Sequence, residues 1–67
     1  MINIGEVAKL LQRSVSTARR LLDRLSQDER YEVERLTDTS PRRISRRGLQ
    51  RYADERSRPI DWSLISQ

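Results

Sequence analysis

Histidine, cysteine and phenylalanine are absent from this chain. Without cysteine there is no disulfide framework, thiolate metal site or thiol nucleophile, and without histidine no imidazole base or ligand. Hydrophobic residues make up 34% of the 67 positions and aromatics 4%. The core must therefore be thin, near the lower size limit for a domain without a covalent or metal staple. No apolar run approaches the ~20 residues of a membrane span, and the first residues carry no secretory signal. The expected setting is cytoplasmic, with no membrane partner. There is no glycine-rich phosphate loop, and the carboxylates are scattered along polar faces. Neither an enzyme, a cofactor nor a bound metal is expected from such a pattern.

What the chain has in abundance is arginine: thirteen of its fourteen basic residues, with a net charge of +4. The guanidinium fork suits phosphate and the guanine edge, where lysine offers a point charge. These charges are segregated. Residues 13–24 hold four Arg against one Asp, and residues 42–51 hold five Arg and no acid. Between them, residues 28–34 hold Asp28, Glu29, Glu32 and Glu34 against only Arg30. Such segregation builds a basic face, the electrostatic footprint of a nucleic-acid binder.

The apolar spacing places two short helices at the start. Ile4, Val7, Ala8 and Leu11 share one face of a helix over 4–11, with Asn3 and Glu6 forming a capping box. Gln12 and Arg13 make a turn. Ser14 caps a second helix from Val15 to about Ser26, with Ala18, Leu21, Leu22 and Leu25 inward. Its other face carries Ser16, Thr17, Arg19, Arg20 and Arg24. Two short helices in this arrangement read as a helix-turn-helix.

Alternation over Tyr31–Leu36 predicts a half-buried strand with Tyr31, Val33 and Arg35 on one side. Thr37–Pro41 is a turn cluster. Arg42–Ile44 returns as a second strand, making a hairpin with a basic, hydroxylated tip, and Ile2 either pairs as a minor strand or covers the core. Ser45 caps a third helix from Arg46 to about Ser57, burying Leu49, Tyr52 and Ala53. Gly48 weakens its interior by ~1 kcal/mol relative to Ala, so packing has to hold it. Arg58–Pro59 ends the helix. The predicted class is mainly α with a small β-hairpin: a winged helix-turn-helix over residues 1–57 and an apolar tail over 58–67. The tail either folds back on the core or contacts another copy or a partner through Trp62 and Leu64.

Ile4–Leu11 followed by Ser14–Arg20 resembles the helix-turn-helix of MerR-type regulators, and equally the small phage and plasmid excisionases that share their winged fold. Arg42–Ser45 and Leu49–Tyr52 look like the segment after the wing in both groups, so the likeness spans residues 2 to 56. The chain departs from the pattern at the Gln12–Ser14 turn, at Leu21–Leu22 where MerR proteins often carry aromatics, and at a hairpin tip without glycine. It also stops where a MerR regulator would begin its dimerisation helix, so the length fits an excisionase better.

The resemblance implies that the second helix enters the major groove, with the positions of Ser16 and Arg20 reading bases. Ser16, Thr17 and Arg20 are the expected base-edge contacts, with Arg20 able to hold a guanine bidentately. Arg19 and Arg24 would meet phosphates, while Thr39, Ser40, Arg42 and Arg43 would reach the adjacent minor groove or its backbone. Arg13 and Arg46, at helix starts, are weaker candidates. Singly, each arginine reads equally as a solvated charge. An excisionase binds repeated sites cooperatively and bends the DNA for an integrase, without chemistry of its own, so self-association on double-stranded DNA and an integrase partner are expected. Three other readings compete: a small MerR-like transcriptional repressor, the DNA-binding domain of a phage terminase small subunit, and a protein-interaction module that sets its basic face against an acidic partner.

Overall fold

A computed structural model describes residues 1–65. It contains three helices and a two-stranded antiparallel sheet: α1 (Ile4–Leu11), α2 (Val15–Leu25), β1 (Val33–Glu34), β2 (Arg43–Ile44) and α3 (Arg46–Glu55). Short 3₁₀ segments cover Glu29–Tyr31 and Trp62–Ile65.

Each helix starts where a side chain satisfies its free amides. Asn3 Oδ1 accepts from the Glu6 N–H at 2.8 Å while the Asn3 N–H donates to Glu6 Oε1 at 3.1 Å, the reciprocal pair of a capping box. Ser14 Oγ accepts from the Thr17 N–H at 3.1 Å, and Ser45 Oγ from the Gly48 N–H at 2.8 Å. The helices then bury one stripe each. Val7 of α1, Leu22 of α2, Ile44 of β2 and Leu49 of α3 are the largest fully buried side chains, one from each of four elements. Burial of each contributes ~1.5–3 kcal/mol, so the thin core depends on all four.

The sheet is shorter than the alternation predicts. Asp28 accepts from the Arg30 N–H at 2.9 Å and starts the 3₁₀ turn over Glu29–Tyr31. Glu32 then takes a left-handed conformation (φ 54°, ψ 42°) that no strand can continue. Pairing is confined to Val33 opposite Ile44 and Glu34 opposite Arg43. Tyr31 packs against the core from outside the sheet, whereas Arg35 turns its guanidinium to the Asp38 carbonyl and Leu36 stays 72% exposed. Period-two patterning cannot register a turn closed by a side chain. Ile2 both pairs and covers: its N–H donates to the Ile44 carbonyl at 2.7 Å, it accepts from the Ile44 N–H at 3.0 Å, and it is buried.

Helix α3 ends at Glu55, two residues before the expected Ser57. Ser57 turns left-handed (φ 54°), and the Arg58 N–H reaches back to the Ala53 carbonyl at 2.9 Å. That is the six-to-one bond of a Schellman closure. The tail folds back as one of its two expected outcomes. Trp62 Nε1 donates to Gln50 Oε1 at 3.1 Å, the Arg46 guanidinium sits 5.3 Å from the Trp62 ring centroid, and Ile60 and Ile65 pack on the core. The last two tail positions, 66 and 67, lie outside the described residues. Among the described residues no helix is long and apolar enough to cross a membrane.

Candidate nucleic-acid interface

Helix α2 buries Ala18, Leu22 and Leu25. At 100° per residue, Ser16 and Arg20 lie furthest from that stripe, with Thr17 and Arg24 on one flank and Arg19 and Asp23 on the other. All six are exposed. Thr17 Oγ1 accepts from Ser14 Oγ at 2.9 Å, which ties the threonine to the helix cap and fixes its hydroxyl at the N-terminal end.

The hairpin loop closes on the Arg19 and Asp23 flank. Arg42 Nη1 lies 3.0 Å from Asp23 Oδ1. The loop itself, lacking glycine, is held by hydroxyls: Thr37 Oγ1 and Ser40 Oγ are 2.8 Å apart, and the Ser40 N–H donates to the Thr37 carbonyl at 3.1 Å. Arg19, Asp23, Arg35, Thr39, Ser40 and Arg42 thereby line one shallow cleft. Of the residues expected at the hairpin, Thr39, Ser40 and Arg42 converge on α2. Arg43 does not line that cleft; it is half-buried in β2 opposite Glu34. Arg42 spends part of its charge on Asp23, so it is not a free cation.

The other flank of α2 borders a groove of about 500 Å³. Thr17, Arg20 and Arg24 line it together with Arg13 from the α1–α2 turn and Arg56 and Arg58 from the end of α3, over a floor of Leu11, Ala18, Leu21 and Tyr52. The Arg56 guanidinium stacks 4.9 Å from the Tyr52 ring centroid. Arg13 is only a weak candidate from sequence, Arg58 reads there as part of a helix stop, and Arg56 is not singled out. No local signal marks them, because the groove joins segments more than thirty residues apart in the chain.

Elsewhere several charges are locally engaged. Arg30 holds Asp28 through Nε and Nη2, the latter at 2.7 Å, which lowers the Asp28 pKa below its ordinary value and raises that of Arg30. Arg47 lies 3.8 Å from Glu32, and Arg46 is stacked on Trp62. Among the described residues no group of three or more acidic, cysteine or histidine side chains could hold a metal. No family model, curated protein or solved structure matches this chain.

Proposed function

We propose that the chain is a winged helix-turn-helix protein that binds duplex DNA sequence-specifically, acting as an excisionase does. In this reading α1 and α2 are the helix-turn-helix, and α2 lies in the major groove with Ser16, Thr17 and Arg20 at base edges. Arg19 and Arg24 meet the flanking phosphates. The β1–β2 hairpin is the wing, bringing Thr39, Ser40 and Arg42 to the neighbouring minor groove or its backbone, without Arg43, which lies outside the cleft. The observation that carries the reading is the 3.0 Å Arg42–Asp23 pair. It ties the hairpin loop to the flank of a helix whose outward residues are basic and hydroxylated, which supports a reading in which helix and hairpin face one duplex.

A module measuring 30 × 22 × 21 Å covers little DNA, and single modules of this class bury only ~600–1,000 Å². Useful affinity then calls for copies side by side on repeated sites, which bend the DNA so that an integrase can assemble. Leu64, 43% exposed on the folded-back tail, is the candidate contact between copies or with the integrase.

A gel-shift titration on the DNA flanking the protein's own gene, with random competitor, tests this. Successive cooperative complexes are expected. One discrete complex at a promoter would favour a repressor instead. Absence of any complex at low salt would remove the DNA-binding reading, since a basic face of this size should bind non-specifically there.

A further inference from the structure

We propose that the arginine groove beside α2 seats a sugar–phosphate strand of the bound duplex, on the side of the helix away from the hairpin. Five arginines line it, Arg13, Arg20, Arg24, Arg56 and Arg58, and no acid does. Its floor includes the half-buried Leu21 and Tyr52. A groove with a cationic rim and an apolar floor matches a strand that alternates phosphates with apolar deoxyribose rings. A groove meant for small anions would have no use for the floor.

Two of these arginines are aimed by the same device. Arg13 follows Gln12 (φ 55°) at the end of α1, and Arg58 follows Ser57 (φ 54°) at the end of α3. In each case the arginine N–H bonds the carbonyl five residues back, Arg13 to Ala8 and Arg58 to Ala53, both at 2.9 Å. Both left-handed positions hold residues other than glycine, so each carries backbone strain. Both helix ends therefore turn an arginine into one groove. Arg56 is fixed separately by its stacking on Tyr52. Arginine at a helix C-terminus also complements the helix dipole. That accounts for a basic residue at each end but not for the convergence of both on the flank of α2.

The proposal rests on the DNA-binding reading and makes the interface three-sided: hairpin, α2, and the paired ends of α1 and α3. Arg20, on the helix side of the groove, keeps its base contact, and salt dependence separates that contact from the phosphate contacts of Arg56 and Arg58. Each phosphate neutralised adds ~0.9 to the slope of log K against log salt on duplex DNA. The experiment measures anisotropy of labelled duplexes, one carrying the preferred site from a randomised pool and one of random sequence, across a salt series. The proteins compared are wild type, the double variant R56Q/R58Q, and R20A. Both changed positions in the double variant are exposed, and a thermal melt confirms that each protein is folded.

The expected result for R56Q/R58Q is a slope lower by about two, an equal fold-loss on both duplexes, and an unchanged preference for the site. An unchanged slope with wild-type affinity would overturn the proposal and leave the groove to an acidic protein segment. A loss confined to the preferred site would also overturn it, by making these residues base readers. Wild type that binds neither duplex at low salt would remove the DNA-binding reading itself, and this inference with it.

Discussion

Gly48 and Tyr31 meet backbone to backbone: a β-carbon on Gly48 would lie 1.7 Å from the Tyr31 carbonyl oxygen. This glycine sits inside α3, where alanine would be favoured by ~1 kcal/mol on propensity alone. The close approach reverses the sign, because the obstructing atom is backbone and cannot rotate away. Gly48→Ala should lower stability by about 1–3 kcal/mol, the cost of overpacking a tight site. Chemical denaturation of the variant checks this, and a stabilised protein would refute the contact.

The Asp23–Arg42 pair is more than half exposed on the Asp23 side, so its worth to stability is small, ~0–1 kcal/mol. Its larger consequence lies in binding. Asp23→Asn releases Arg42 and removes a negative charge from the face proposed to meet DNA. The variant should bind random duplex more tightly while discriminating less between sites, as competition titrations would reveal.

Arg20 and Arg24 share the groove flank but differ in reach around α2. Arg20→Ala should cost ~1–3 kcal/mol on the preferred site and relax one base position. Arg24→Ala should weaken all sequences alike and reduce the salt slope by about one. Binding to a panel of single-base variants separates the two patterns.

Gln12 and Ser57 hold left-handed conformations that suit glycine. Glycine there relieves about 1–2 kcal/mol of strain against about 0.5–1 kcal/mol of added chain entropy. Gln12→Gly and Ser57→Gly should each stabilise the fold by about 0.5–1 kcal/mol, at ~4–8 °C per kcal/mol for a domain of this size. Thermal melts measure it directly.

The Tyr31 phenol donates to Glu55, and that bond, followed by desolvation, raises the Tyr31 pKa above its ordinary 10.0. The fold thus keeps a proton that the unfolded chain has already lost. Stability from this group is full below pH 10 and declines as pH rises toward the folded value. Melting temperatures between pH 9 and 11 should fall for wild type, and Tyr31→Phe should remove this group's share of the fall.

Local interactions were legible in the sequence. The three caps at Asn3, Ser14 and Ser45 and most of each apolar stripe involve residues a few positions apart, so spacing specifies them. For the same reason the exposed row of Ser16, Thr17, Arg19, Arg20 and Arg24 follows from helical period without any partner. Leu11, Leu21 and Tyr52 are only half-buried, whereas Leu10 and Gly48 are buried outside the expected stripes because neighbouring elements cover them. The strand expected over Tyr31–Leu36 is cut to Val33–Glu34 because Asp28 and the left-handed Glu32 compete with its start through geometry that alternation does not encode.

What only the tertiary structure decided is what each residue meets across the chain. Gly48 is required because α3 lies against the Tyr31 backbone. Arg42 is tied because the hairpin folds onto α2, and Arg43 stays out of the cleft, its place in β2 being set by its buried neighbour Ile44. Arg56 and Arg58 join Arg13 and Arg20 because the ends of α1 and α3 close beside one helix flank. The sequence determined which faces are basic, since charge and periodicity are local. Which basic residues stand together depends on how the shared core of Val7, Leu22, Ile44 and Leu49 sets the elements against one another.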